Sequence, residues 1–114
     1  MNLKNYAHLG DAVWELHVRE IVVESTGNSK KMHEMTVAQV NCGYQAHLLQ
    51  KISDKLTEEE QDLVRRGRNL SIPIARRQNQ NEYRQATAFE VLIGWWYKHA
   101  PERLNSMFAL LDND

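Results

Sequence analysis

The segment from Tyr83 to His99 restricts the possible folds more than any other part of the sequence. It has helical spacing and carries apolar side chains on nearly all sides, with Glu90 among them. A helix that is apolar all round is stable only when other elements cover it. A chain of 114 residues is long enough to bury one such core, so we expect a single domain.

The remaining segments also show helical rather than strand periodicity, which predicts an all-α fold. The sequence Thr57-Glu58-Glu59-Glu60 matches a capping box, in which the threonine and the last glutamate satisfy backbone N–H groups where a helix begins. The predicted helices span about 7–24, 32–52, 57–66 and 83–99, and a last one begins at Pro101; a long loop covers 67–82.

Several classes of protein are disfavoured by the sequence. The longest apolar stretch, Phe89 to Tyr97, is far shorter than the ~20 residues of a membrane span. The N-terminus does not resemble a signal peptide and the single cysteine, Cys42, cannot form an intrachain disulfide, so we expect a cytoplasmic setting without membrane contact. The five histidines lack zinc-ligand spacing, which argues against a zinc site.

Positive charge is concentrated between Leu63 and Ala86. This stretch contains six arginines and one acid, so it carries a net charge of +5, whereas the whole chain carries −1. Guanidinium groups bind phosphate in a fixed, bidentate geometry, which makes an RNA or DNA backbone a candidate partner. Composition alone is equally compatible with a solvated, charged loop.

Two carboxylates lie in apolar helices, where an unpaired charge is costly to bury. Asp11 follows Gly10 near the start of the first predicted helix, and Glu90 lies in the apolar helix over 83–99. If these helices cross, the two carboxylates converge, and such a pair beside a basic loop suits Mg²⁺-dependent phosphodiester hydrolysis. The alternative is structural: an ion pair of Glu90 with Arg84, or of Asp11 with Arg19.

Three segments resemble the ribonuclease III catalytic domain. Residues 6–16, YAHLGDAVWEL, resemble its signature helix, and residues 83–94, YRQATAFEVLIG, are similar to its second metal-binding helix. Residues 65–69, RRGRN, resemble the R-G-R-N element of Mini-ribonuclease III, the short branch of the family without a separate double-stranded-RNA-binding domain. The three segments occur in the family's order, and the similarity covers nearly the whole chain.

The resemblance implies an all-α, ribonuclease III-like endonuclease domain that forms a homodimer, binds double-stranded RNA across the dimer and cuts both strands with Mg²⁺. The products would carry a 5′-phosphate and a 3′-hydroxyl. Residues 1–114 would form one catalytic domain. The branch characteristically matures the precursor of the large-subunit (23S) ribosomal RNA in bacteria, so this RNA is the expected partner. A large-subunit ribosomal protein is a candidate second partner.

The resemblance also assigns the carboxylates. Asp11 and Glu90 carry over as catalytic and metal-binding residues, with Mg²⁺ as the expected cofactor and Mn²⁺ as a substitute. Larger relatives have further carboxylates at the positions that Ala7 and Thr87 occupy here. Thr87 is therefore only a supporting candidate, and we expect weak metal binding in the absence of RNA.

Other residues are assigned to the dimer and to RNA. His8 occupies the position at which larger relatives present a phenylalanine to the partner subunit. Trp14, expected in the core or at the dimer interface, is assigned with His8 to that interface. Glu15 is a supporting candidate, although we expect it to pair with Arg19. The candidate RNA-binding residues are Arg65, Arg66, Arg68, Asn69, Arg76, Arg77 and Arg84.

Two other functions remain open from the sequence. A catalytically silent relative would bind RNA as a structural component, although the chain retains both Asp11 and Glu90. A helical interaction protein would use the arginine-rich segment to contact an acidic protein partner. Cleavage of an RNA duplex in the presence of Mg²⁺ distinguishes these functions from the leading one.

Overall fold

The computed structural model describes residues 2–71 and 80–113, and the regular structure in these ranges is entirely helical. The elements are α1 (Leu3–Ser25), α2 (Ser29–Val40), α3 (Cys42–Ile52), a 3₁₀ turn (Ser53–Lys55), α4 (Glu58–Arg68), α5 (Gln80–His99) and α6 (Pro101–Leu111). The predicted all-α class is confirmed. None of these helices combines the length and the apolar character that crossing a membrane requires. Arg76 and Arg77 lie outside the described residues.

Asn41 divides the predicted helix over 32–52 into α2 and α3, so that prediction is wrong. The Asn41 backbone is extended, with φ −77° and ψ 160°. Its side-chain oxygen accepts a hydrogen bond from the Tyr44 N–H (2.9 Å), and its amide donates to the carbonyl oxygens of Val37 (2.9 Å) and Ala38 (3.1 Å). One side chain thus satisfies backbone groups at the end of one helix and the start of the next.

Two other helices are longer than the sequence predicts. Helix α1 begins at Leu3 because the Asn2 side chain caps it, accepting a hydrogen bond from the Lys4 N–H (2.8 Å). Helix α5 begins at Gln80, before the first apolar residue that marks the predicted helix. Hydrophobic periodicity does not detect the first turn of α5, Gln80-Asn81-Glu82, because it is polar on all sides.

Helix α5 forms the centre of the core. Helices α1, α3, α4 and α6 all pack against it. Six of its side chains expose no surface to solvent: Ala88, Phe89, Val91, Leu92, Ile93 and Trp96. The burial of this helix on nearly all sides, predicted from its apolar sequence, is confirmed. Glu90 therefore lies at the middle of the most enclosed element of the structure.

Helices α1 and α5 cross at two glycines, Gly10 and Gly94. A Cβ atom on Gly10 would lie 2.9 Å from the Gly94 nitrogen and would overlap the backbone carbonyl of Glu90. A Cβ atom on Gly94 would likewise overlap the backbone carbonyl of Tyr6. The two backbones are thus in direct contact, which only residues without a side chain permit.

Helix α4 is attached to the core through Glu60. The predicted capping box is confirmed: the Thr57 hydroxyl accepts from the Glu60 N–H (3.2 Å), and the Glu60 carboxylate accepts from the Thr57 N–H (2.9 Å). The same carboxylate, only 4% exposed, also accepts hydrogen bonds from the Trp96 indole (2.6 Å) and the Arg103 guanidinium (2.8 and 3.0 Å). Burial alone would raise the pKa of Glu60, but these donors hold it below its ordinary value.

Replacing Gly10 by alanine should destabilise the protein severely. The added Cβ has no space between α1 and α5, so the two helices must separate and lose packing along their whole contact. We expect the free energy of unfolding to fall by at least about 3 kcal/mol, measured by urea denaturation. The matched control is Gly27→Ala, because no atom lies within 4 Å of a Cβ built at Gly27. Equal stability of the two variants would contradict the crossing.

Candidate active site

The crossing of α1 and α5 places Asp11 beside Glu90. Asp11 directly follows Gly10, which lies against the Glu90 backbone carbonyl. The two carboxyl groups share a hydrogen bond. Asp11 is exposed to solvent, whereas Glu90 is partly buried, so the pair lies at the edge of the core and is open on one side. The structure thus brings together the two carboxylates that the sequence identifies.

Glu90 holds its proton more tightly than an ordinary glutamate does. The pKa of Glu90 is raised to about 8, first by burial and then by the hydrogen bond to Asp11 and the negative charge of Asp11. A contact with Gln45 acts in the opposite direction and lowers this pKa. At neutral pH and without a bound cation, Glu90 therefore keeps its proton, because two adjacent carboxylates repel each other when both are ionised.

Neither of the ion pairs considered from the sequence forms among the described residues. Arg19 lies 3.0 Å from Glu15, which is the pairing that the sequence predicts for Glu15. Arg84 donates instead to backbone carbonyl oxygens and has no ion pair with Glu90. No arginine thus neutralises the Asp11–Glu90 pair in the described part of the chain, and the structural alternative is not supported.

The two positions at which larger relatives carry further carboxylates supply no charge here. Ala7 and Thr87 line the same small cavity of about 220 Å³. The Thr87 hydroxyl donates to the Tyr83 carbonyl oxygen (2.9 Å), so it is bound within its own helix. Within residues 2–71 and 80–113, no three His, Cys, Asp or Glu side chains are grouped closely enough to hold a metal ion.

The donor set suits a hard divalent cation that keeps part of its hydration shell. Such an ion binds to one or two protein carboxylates, while water and phosphate oxygens complete its coordination. Among residues 2–71 and 80–113 no positively charged side chain offsets Asp11 and Glu90, and burial together with Asp11 raises the pKa of Glu90 to about 8. The residues present therefore fit a cation held jointly by the protein and its substrate.

Gln45 is a residue of this site that the sequence reading missed. It lies on α3, is 2% exposed and contacts Glu90, yet its Nε2 has no hydrogen-bond partner among the described residues. The sequence does contain a signal for it. Gln45 follows Cys42 by three residues and precedes Leu49 by four, which places an amide on the apolar face of the helix.

The candidate RNA-binding arginines lie at the end of α4. Arg65 and Arg66 are exposed, and both pair with Asp62. Arg68 lines a cavity of about 510 Å³ between α3, α4 and α5, and Asn69 is exposed just after α4. Neither Asp11 nor Glu90 lines this cavity.

Arg84 has a structural role in the described part of the chain. Its guanidinium donates to the carbonyl oxygens of Arg68 (2.6 Å) and Leu70 (3.4 Å). Arg68 is the last residue of α4, and Leu70 lies two residues beyond it. An arginine that binds the last carbonyl groups of a helix stabilises its C-terminus. Arg84 thereby fixes the end of α4 to the start of α5.

The two residues assigned to a dimer interface differ in exposure. His8 is exposed on α1 and is available to a partner. Trp14 is 2% exposed, packs edge-on against Phe89 and donates a hydrogen bond to the Gln39 carbonyl oxygen (2.8 Å). Trp14 is therefore a core residue of the single chain and presents almost no surface to a partner.

Comparisons with known proteins agree on one family. Residues 4–101 match the family model described as the ribonuclease III domain. A relative named Mini-ribonuclease 3 from Gloeobacter violaceus is 43% identical, and the matched region covers 98% of this chain and 83% of the relative. One of the same name from a Synechococcus strain is 39% identical over 92% of this chain and 76% of the relative. A crystal structure from Fusobacterium nucleatum has a TM-score of 0.87 at 30% identity, covering 96% of this chain and 91% of that one.

In metal-free protein, Glu90→Gln should raise stability at alkaline pH. The folded-state pKa of about 8 exceeds the ordinary value of 4.5, so the stability linked to Glu90 is complete below about pH 4.5 and is lost as the pH rises through 8. Glutamine mimics the protonated carboxyl. With EDTA present, we expect it to add about 2–4 kcal/mol at pH 9 and little at pH 4.5, measured by urea denaturation.

The control for this prediction is Glu15→Gln, which removes an acid of α1 that is paired with Arg19. It should show no gain that grows with pH. A Glu90→Gln protein whose stability relative to the native chain is the same at pH 5 and pH 9 would contradict the raised pKa.

Proposed function

Because the chain belongs to the ribonuclease III domain family and is an endoribonuclease, we propose that it cleaves double-stranded RNA in a Mg²⁺-dependent reaction. In this proposal Asp11 and Glu90 are the catalytic residues and bind the metal ion. The observation that carries the proposal is the convergence of these two carboxyl groups where α1 crosses α5, with no arginine paired to them within residues 2–71 and 80–113. Mn²⁺ is the expected substitute, since it accepts the same oxygen ligands.

Asp11 and Glu90 would hold Mg²⁺ together with water and the phosphate of the RNA. When bound, Mg²⁺ activates a water molecule for attack and neutralises charge that develops on the phosphate. The protein's own contribution begins with Glu90, which must release its proton to solvent before both carboxylates can act as ligands. Thr87, held by its own helix, would line the approach to the pair without acting as a ligand.

The arginines at the end of α4 would bind the phosphate backbone. Arg65 and Arg66 are exposed and point their guanidinium groups toward a single carboxylate, Asp62, so they retain donors for phosphate oxygens. Arg68, Asn69 and Arg84 lie around the same end of α4. Side chains cannot read the narrow major groove of A-form RNA, so contacts of this kind recognise the shape of the duplex. Arg76 and Arg77 would extend this surface.

The expected natural substrate is the precursor of the large-subunit ribosomal RNA in the bacterial cytoplasm, with a large-subunit ribosomal protein as a second partner. This part of the proposal rests on the resemblance to the short branch of the family. The R-G-R-N element that carries the resemblance includes Gly67, whose Cβ would lie 3.0 Å from the Ala88 Cα atom. The element thus also sets how closely α4 packs on α5.

The decisive experiment is cleavage of a long RNA duplex by purified protein with Mg²⁺ and with EDTA. We expect cleavage only with Mg²⁺, products with 5′-phosphates, and at least about a 100-fold loss of rate for Asp11→Asn and Glu90→Gln. The matched control, Glu20→Gln, replaces an exposed acid elsewhere on α1 and should cleave normally. Duplex that is retained but uncut by the native chain would favour the silent RNA-binding relative, and failure to bind would favour the interaction protein.

A homodimer is part of the proposal, and α1 presents a surface for it. Leu16 is 59% exposed and Val23 is 60% exposed, and they lie two helical turns apart on one stripe of α1. Large aliphatic side chains exposed on one stripe are typical of a surface that a second copy covers. A dimer through this stripe would let one duplex contact both subunits.

Charging this stripe should therefore dissociate the dimer. We expect the native chain to elute as a dimer in size-exclusion chromatography with light scattering and Leu16→Glu as a monomer, because a carboxylate would be buried without a partner. The control is Leu110→Glu, which charges an exposed leucine on α6. A native chain that is monomeric at micromolar concentration, or a Leu16→Glu variant that stays dimeric, would contradict this interface.

A further inference from the structure

Packing does not account for the presence of Gln45 on α3. Its side chain is 2% exposed, and its Nε2 has no hydrogen-bond partner among the described residues. Burying an amide donor without a partner costs free energy that an apolar side chain of similar size would avoid. A residue with this cost needs a compensating interaction in some state of the protein.

The carboxyl of Glu90 is a group that could compensate Gln45. Helix α3 packs against α5, and the Gln45 amide contacts Glu90 in a way that favours the ionised carboxylate. The contact lacks the geometry of a full hydrogen bond.

A Glu90 carboxylate that binds a cation would need hydrogen-bond donors as well. A carboxylate offers about four lone-pair sites, and a cation shared with Asp11 uses only part of them. Glu90 is partly buried, so water cannot reach all of the remaining sites. Gln45 is the buried donor in contact with this carboxyl among the described residues, and both protons of its Nε2 are unused.

We propose that Gln45 is a positioning residue: its Nε2 donates a hydrogen bond to the Glu90 carboxylate and thereby orients this carboxylate toward the divalent cation. This inference rests on the metal site of the proposed function. Gln45 itself does not touch the cation or the RNA. Groups that hold a metal ligand in one orientation in this way contribute about 10- to 100-fold to metal affinity.

A positioning role and a structural role predict opposite changes in Gln45→Met. Methionine keeps the length and volume of the side chain but has no donor, so it removes a buried, unpaired amide from the metal-free protein. The positioning role therefore predicts an equal or higher Tm for metal-free Gln45→Met together with weaker metal binding. A structural role predicts a lower Tm.

The test measures Mn²⁺ binding to the full chain without RNA by electron paramagnetic resonance, up to tens of millimolar Mn²⁺. We expect Gln45→Met to raise the Kd at least about 10-fold. Gln45→Asn, which withdraws the amide by one methylene group, should raise it in the same direction. Gln50→Met makes the same substitution at an exposed position of α3 and should leave both Kd and Tm unchanged.

Duplex cleavage supplies a second measurement. Because Gln45 acts through Glu90, Gln45→Met should need more Mn²⁺ for half-maximal cleavage but recover most of the native rate when Mn²⁺ is raised. Asp11→Asn, which lacks a ligand, should not recover. Failure of Gln45→Met to recover at saturating Mn²⁺ would overturn a role that is limited to positioning Glu90.

The outcomes separate this inference from the proposed function. A Kd within twofold of the native value for Gln45→Met and Gln45→Asn overturns the positioning role, while loss of binding in Asp11→Asn would still support the metal site. A Gln45→Met protein that is markedly less stable without metal also overturns it. If the native chain binds no Mn²⁺ at these concentrations and cleaves no duplex, the metal site fails and this inference fails with it.

Discussion

The direct contact between the backbones of α1 and α5 is the interaction on which the rest of this structure depends. Gly10 and Gly94 remove the side chains that would separate the helices, and the Glu90 backbone carbonyl lies against Gly10. Asp11 is the next residue along α1, so the same contact that packs the core determines where its carboxylate meets Glu90. The stability of the fold and the geometry of the site therefore have one origin.

Two glutamates in neighbouring helices show how surroundings decide the role of a buried acid. Glu60 receives hydrogen bonds from Thr57, Trp96 and Arg103, which outweigh burial and hold its pKa low; it joins α4 to the core as an ionised group. Burial and the neighbouring Asp11 raise the pKa of Glu90 to about 8. A buried acid that remains uncompensated by its own protein is a frequent sign of a functional site.

The sequence predicts those features that depend on local pattern or on a repeated family motif. The capping box at Thr57 and the burial of α5 follow from spacing alone, and the resemblance singles out the carboxylate pair. The hydrophobic periodicity of the sequence does not reveal features in which a single side chain connects two helices. Asn41 ends α2 and begins α3 through its own amide, and Trp14 is enclosed by Phe89 rather than by a partner. Gln45 stands out only once α3 is seen against α5.

Helix α4 is held at both ends, by Glu60 at its start and by the contact of Gly67 with Ala88 and the Arg84 hydrogen bonds at its finish. These contacts determine its position along α5 and its orientation relative to it. If its arginines bind phosphates as proposed, the length of α4 determines how many nucleotides separate the bound phosphates from the bond that is cut. One residue inserted into α4 would turn everything beyond it by about 100°. The length of a single short helix would then define the cleavage register on the RNA.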